Sequence, residues 1–179
     1  MIAVESSASV TSGHWKEVTT FVTELVIRLR DIPENNFGFL SFGSSHQLVQ
    51  MFRKFSNDHE VTNLVAKIPR INGRVNIPNM LWDAYNWLIT EKYGGYSKTK
   101  VIVLVTRFKV DDTVFSLVKR FYQEEKVLLV NIVMTLKRVE LAASDLGVEE
   151  SERTVFTLSD LTELVKRMKK VGGSGHESC

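Results

Sequence analysis

Apolar positions recur along this chain in two alternating rhythms. Ile2 to Glu5 is a short apolar run ending in small polar residues, as a buried parallel strand does where it feeds a loop at its carboxyl end. Trp15, Val18, Val22, Leu25, Val26 and Leu29 then repeat at i, i+3, i+4, which predicts an amphipathic helix. Asn36 to Phe42 and Gln47 to Phe52 predict two strands across Gly43-Ser44-Ser45. A connection that short cannot make a parallel crossover, so the pair is expected to be an antiparallel hairpin. Asn57 with Glu60 resembles a capping box opening a short helix through Ala66. Met80, Leu81, Ala84, Trp87 and Leu88 mark another helix, expected to run to Tyr93-Gly94-Gly95.

The second half continues the alternation. Thr99 to Thr106 is nearly all β-branched or leucine, as in a central strand covered on both faces. Val114, Leu117, Val118 and Phe121 predict a helix, Val127 to Met134 a buried strand, Arg138 to Leu146 a weaker helix, and Thr154 to Leu158 a short strand. Leu161, Leu164, Val165 and Met168 predict a closing helix capped by Ser159. The order describes an α/β fold: a doubly wound, mostly parallel six-stranded sheet with one antiparallel edge strand and helices on both faces. In such sheets ligands bind beyond the carboxyl ends of the strands where strand order reverses. Three loops should therefore meet: Glu5 to Gly13, Ile71 to Asn79, and Thr106 to Asp112.

Composition narrows the picture. The 179 residues, 44% hydrophobic and 25% charged, suit one domain with a full core, expected over 1–171, followed by a Gly- and Ser-containing tail over 172–179. The formal charge of +2 leaves no strong footprint for nucleic acid or anionic membrane. Lys166, Arg167, Lys169 and Lys170 read as a solvated helix face. Apolar runs such as Val101 to Val105 fall far short of the roughly 20 residues that span a bilayer. The one cysteine, Cys179, suits either a disulfide within a longer secreted chain or a free thiol.

The first loop carries Glu5, Ser7 and Ser9, the second reads Gly73-Arg74-Val75-Asn76-Ile77-Pro78, and the third Val105-Thr106-Arg107-Phe108. With the element order, these loops resemble the von Willebrand factor type A (vWA) domain over essentially the whole chain. In that family the loops read D-x-S-x-S, a threonine as in G-T-N-x-G, and T-D-G, and together form a metal-ion-dependent adhesion site. There a partner's acidic residue completes the coordination of a divalent cation. The resemblance implies a degenerate site here: Glu5, Ser7 and Ser9 keep oxygens, Val75 has none to offer, and Arg107 stands where the family has aspartate. A guanidinium ~4 Å from a divalent cation is repelled by several kcal/mol, so no Mg²⁺ or Ca²⁺ is expected, and no other cofactor. Two arrangements are open: Arg107 pairs with Glu5 in a charge-assisted contact, or Arg107 points to solvent and Glu5 caps local backbone. Asp111 and Asp112 are read as favourable charges at a helix N-terminus rather than ligands. His14, His46, His59 and His176 have no zinc-site spacing.

No catalytic residue is expected, because G-x-G-x-x-G, G-x-x-x-x-G-K-[ST] and G-x-S-x-G are all missing. The resemblance implies a non-catalytic protein-interaction module of adhesion or matrix type, within a longer extracellular chain. Arg74, Arg107, Phe108 and Lys109 are the candidate partner-binding residues, since arginine and aromatic residues are enriched in interfaces. The alternative is an intracellular scaffold subunit of the same fold, with a nucleotide-dependent α/β enzyme as the third class.

Overall fold

The structure is a computed structural model describing residues 1–32, 35–90, 100–107, 112–125, 127–134, 139–144 and 154–156. Strands β1 (Ile2–Glu5), β2 (Phe37–Phe42), β3 (His46–Arg53), β4 (Lys100–Thr106), β5 (Val127–Met134), β6 (Val139–Ser144) and β7 (Thr154–Phe156) form one sheet, ordered β3-β2-β1-β4-β5-β6-β7. Helices α1 (Ser12–Arg30), α2 (Asp58–Val65), α3 (Ile77–Ile89) and α4 (Asp112–Glu125) flank it.

Side-chain alternation along the strands builds two cores. Ile2 and Val4 of β1, Val103 and Val105 of β4, and Val130, Ile132 and Met134 of β5 pack with Val18, Val22, Leu25 and Val26 of α1 and Val61 of α2. Their neighbours Ala3, Ile102, Leu104 and Leu129 pack on the opposite face with Met80, Leu81 and Ala84 of α3 and Val118 and Phe121 of α4. A strand covered on both sides is apolar at nearly every position, which is why β4 reads as an unbroken run over Val101 to Val105 and β5 is interrupted only by Asn131, which accepts the Thr106 hydroxyl.

Caps set the helix starts. The Thr11 side chain accepts the His14 amide at α1, and Asn57 accepts the Glu60 amide at α2. Asn76 accepts the Asn79 amide at α3, with Pro78 in the first turn. Helix α3 ends at Ile89 with Thr90 as its cap, short of the expected Tyr93.

The parallel pairs β1–β2, β1–β4 and β4–β5 and the antiparallel β2–β3 hairpin agree with the sequence. Two expectations are corrected. The sheet has seven strands rather than six, and the segment expected as a helix over Arg138 to Leu146 contains β6, antiparallel to β5 with Val133 opposite Glu140 and Leu129 opposite Ser144. β6 is thus a second antiparallel strand, lying inside the sheet. Leu141, Ala142 and Ala143 are good helix formers, but the ladder offered by the free side of β5 outweighs that weak local preference. The expected closing helix and the 172–179 tail lie outside the described residues. No described helix is long and apolar enough to cross a membrane.

Candidate functional site

Strand order reverses between β1 and β4, so their carboxyl ends open a crevice. β1 delivers Glu5 there, only 1% exposed. One oxygen, Oε1, accepts the hydroxyls of Ser7 at 2.6 Å and Ser9 at 2.8 Å. The other, Oε2, accepts the backbone amide of Arg107 at 2.9 Å. The carboxylate is therefore enclosed by three donors of its own chain, which is what makes burial of the charge tolerable. Ser7 and Ser9 also lie 2.7 Å apart through their hydroxyl oxygens, and the Val10 amide donates to the Ser7 carbonyl, so the loop folds back on itself before Thr11 caps α1.

Ser6, between these residues, faces another network. Its hydroxyl lies 2.7 Å from that of Ser41 in β2 and accepts the Ile71 amide at 2.9 Å, while Ser41 donates to the Pro69 carbonyl at 2.6 Å. These bonds hold the second loop against β1 and β2. Gly43 permits the approach, because a Cβ there would meet the Ile71 carbonyl oxygen at 2.0 Å. Gly73 is required twice over: its φ is +96°, and a Cβ would fall 2.7 Å from the Ser44 side chain.

The structure thus gathers the described parts of all three expected loops. Ser7, Ser9, Gly73, Arg74 and Val75 line a cleft of about 320 Å³. Val75 is half-buried and packs toward the α3/α4 core, presenting an apolar wall where the family has a threonine. Arg74 is exposed. Phe108, Lys109 and Asp111 lie outside the described residues.

The Arg107 side chain takes neither expected arrangement, while Glu5 does accept a backbone amide, as the second of them has it. The Arg107 backbone amide reaches Glu5, while its guanidinium Nη1 donates to the Ser9 carbonyl and its buried Nε has no hydrogen-bond partner. The contact with Glu5 is real but runs through the main chain, a donor that residue identity does not reveal. A second arginine escaped sequence reasoning altogether. Arg70 donates Nη2 to the Val10 carbonyl, lies 3.5 Å from the Ser12 hydroxyl through Nη1, and sits 5.9 Å from the centre of the Trp15 ring. Consecutive carbonyls of the first loop are thereby held by two guanidinium groups, one from the residue just before the second loop and one from the third loop. No motif marks Arg70; only its place at the edge of the second loop offered a signal.

The fit of a divalent cation can be tested on this donor set. Both Glu5 oxygens and both serine hydroxyl protons are committed to one another or to Arg107, Val75 offers no oxygen, and a guanidinium is bonded to the Ser9 carbonyl. No group of three or more His, Cys, Asp or Glu that could hold a metal occurs among the described residues. A hard cation needs several free oxygens and at least one available carboxylate, so these residues do not fit one.

A family model for the von Willebrand factor type A domain matches residues 1–170. No curated protein matches the sequence. Among solved structures, proximal thread matrix protein 1 from the mussel byssus is similar with a TM-score of 0.66 at 17% identity, over 95% of this chain and 47% of that one. The chain therefore spans about half the length of that protein. The same mussel protein solved with a zinc-occupied MIDAS motif gives 0.65 at 18% identity, over 95% and 47%. Protein BatB from Bacteroides thetaiotaomicron gives 0.63 at 10% identity, over 96% of this chain and 97% of that one. At these identities the structural likeness is one of fold.

Proposed function

The chain belongs to the von Willebrand factor type A family, and we propose that it acts as a non-catalytic protein-interaction module whose contact surface works without a divalent cation. The observation carrying this reading is the closed bonding around Glu5: the loop oxygens that would coordinate an ion are spent on Ser7, Ser9 and Arg107 within the chain. The contact surface is the rim at the carboxyl ends of β1 and β4, where the cleft beside Arg74 and Val75 lies. A matrix or cell-surface setting, as part of a longer chain, is supported by the fold shared with a byssal matrix protein.

Calorimetric titration of Mg²⁺, Mn²⁺ and Ca²⁺ into chelator-treated protein tests the ion-free reading, with a Val75→Thr, Arg107→Asp double variant beside it. The parent is expected to give no binding heat, and the variant, with a restored hydroxyl and carboxylate, is expected to bind. Saturable binding by the parent overturns the proposal.

A further inference from the structure

Three arginines converge on the loop after β1. Arg70 and Arg107 are bonded to the Val10 and Ser9 carbonyls, and Arg74 lines the cleft beside Ser7, Ser9, Gly73 and Val75. None of the three forms an ion pair among the described residues, whose ion pairs all lie elsewhere. Carbonyl groups anchor a guanidinium without cancelling its charge. The carboxylate at the centre of the site, Glu5, is buried and already accepts three hydrogen bonds. Arg74, the one charged side chain lining the cleft, therefore presents positive charge that no exposed carboxylate among the described lining residues balances, with Arg70 and Arg107 anchored on the same loop beside it, in a chain whose formal charge is only +2 overall.

We infer that this cleft binds a side-chain carboxylate of an acidic segment on a partner protein directly, with Arg74 as the contacting cation and Arg70 and Arg107 as a fixed positive frame. This rests on the ion-free reading above and adds the chemistry of the partner. Among the described residues, Arg74 is the one guanidinium of the three with no bond to the chain, and its planar fork matches a carboxylate in a bidentate contact. One free cation matches a monoanion better than a dianionic phosphate. Val75 supplies an apolar wall that keeps water from part of the contact, and about 320 Å³ accommodates a side chain rather than a domain.

The test follows backbone amide NMR signals of the full chain in chelator-containing buffer. The probes are a capped Gly-Glu-Asp-Glu-Gly peptide, its neutral Gly-Gln-Asn-Gln-Gly counterpart, inorganic phosphate and a heparin oligosaccharide. The acidic peptide is expected to shift the signals of Ser7, Ser9, Gly73, Arg74 and Val75, and the neutral peptide to leave them unmoved. Arg74→Ala should weaken binding about threefold, the scale of an exposed charge pair. Arg74→Glu should abolish it, and added salt should weaken it. Arg74 is exposed, so both variants are expected to fold as the parent does. Equal response to the neutral peptide, shifts mapping away from the cleft, or no effect of Arg74→Ala overturns the inference. Response to phosphate or heparin with the acidic peptide silent also overturns it and reassigns the cleft to those anions. Acidic-peptide binding that appears only with added Mg²⁺ sinks the ion-free reading along with this one. No acidic-peptide binding with or without Mg²⁺, alongside silent calorimetry, sinks this inference alone.

Discussion

Ser6 and its neighbours Ser7 and Ser9 leave the same strand end and do different work. Ser6 is fully buried and bonded to neutral groups of β2 and the second loop, bracing three segments that are distant in sequence. Ser7 and Ser9 gather around the charge of Glu5 and border the cleft, with Ser9 exposed. One residue type in one loop thus serves both as internal brace and as inner wall of the cleft. What separates the roles is whether the oxygen faces the chain's own backbone or a charge near solvent.

The largest expected effect falls on the centre of the charged network. Glu5→Ala leaves the Ser7 hydroxyl and the Arg107 amide without their buried acceptor, and should lower unfolding stability by about 3 kcal/mol in urea denaturation. Glu5→Gln, which keeps the shape and an acceptor oxygen, should lose roughly half as much. Equal losses would mean that the charge of Glu5 carries the whole effect and its shape none of it, while a Glu5→Gln variant as stable as the parent would mean that the charge contributes nothing beyond the shape.

Next in size is the contrast between the serines. Ser6→Ala strips a buried partner from the Ile71 amide and should cost about 2 kcal/mol, while Ser9→Ala, at an exposed position, should cost about 0.5 kcal/mol or less. If Ser9→Ala proves the more destabilising, the division between brace and wall is wrong.

The smallest effect concerns a third hydroxyl, far from the rim. The Tyr85 hydroxyl of α3 donates to Glu124 of α4 at 3.1 Å, and its ring stacks on Phe121 with centroids 4.0 Å apart. Burial first, then Glu124, pushes its pKa up to about 12 from 10.0. The folded state therefore favours the neutral phenol, so this contribution to stability is complete below pH 10 and is lost as pH rises through 12. Ultraviolet titration of the parent against Tyr85→Phe should show that the missing phenol is one that ionises near pH 12. Loss of a phenol titrating near pH 10 instead would show that a buried hydroxyl on a carboxylate is no more constrained here than one in water.

Much of the fold was legible because burial on two faces leaves a record in composition. The unbroken apolar run of β4, the alternate assignment of Ile2 and Ala3 to opposite cores, and the short hairpin link at Gly43-Ser44-Ser45 each follow from strand geometry. β6 was not legible, because Leu141, Ala142 and Ala143 favour a helix locally and pair as a strand only where β5 offers a free ladder. At the rim, Glu5, Ser7, Ser9, Val75 and Arg107 could be assembled from the order of the loops, and the structure brings them together. Arg70 could not, since its role depends on reaching a carbonyl 60 residues away.

The sequence by itself determined which oxygens were available at the rim and which were missing: serine hydroxyls and one carboxylate in the first loop, an apolar side chain in the second, a cation in the third. Only the tertiary structure decided how they are spent. Ser6 turned inward, the Arg107 amide rather than its guanidinium met Glu5, and two arginines anchored adjacent carbonyls while Arg74 stayed exposed. The physical reason is that a side chain carries its chemistry with it, whereas the partner satisfying each buried polar atom is a matter of distance. At this crevice the distances are set by the packing of three loops on the ends of β1 and β4.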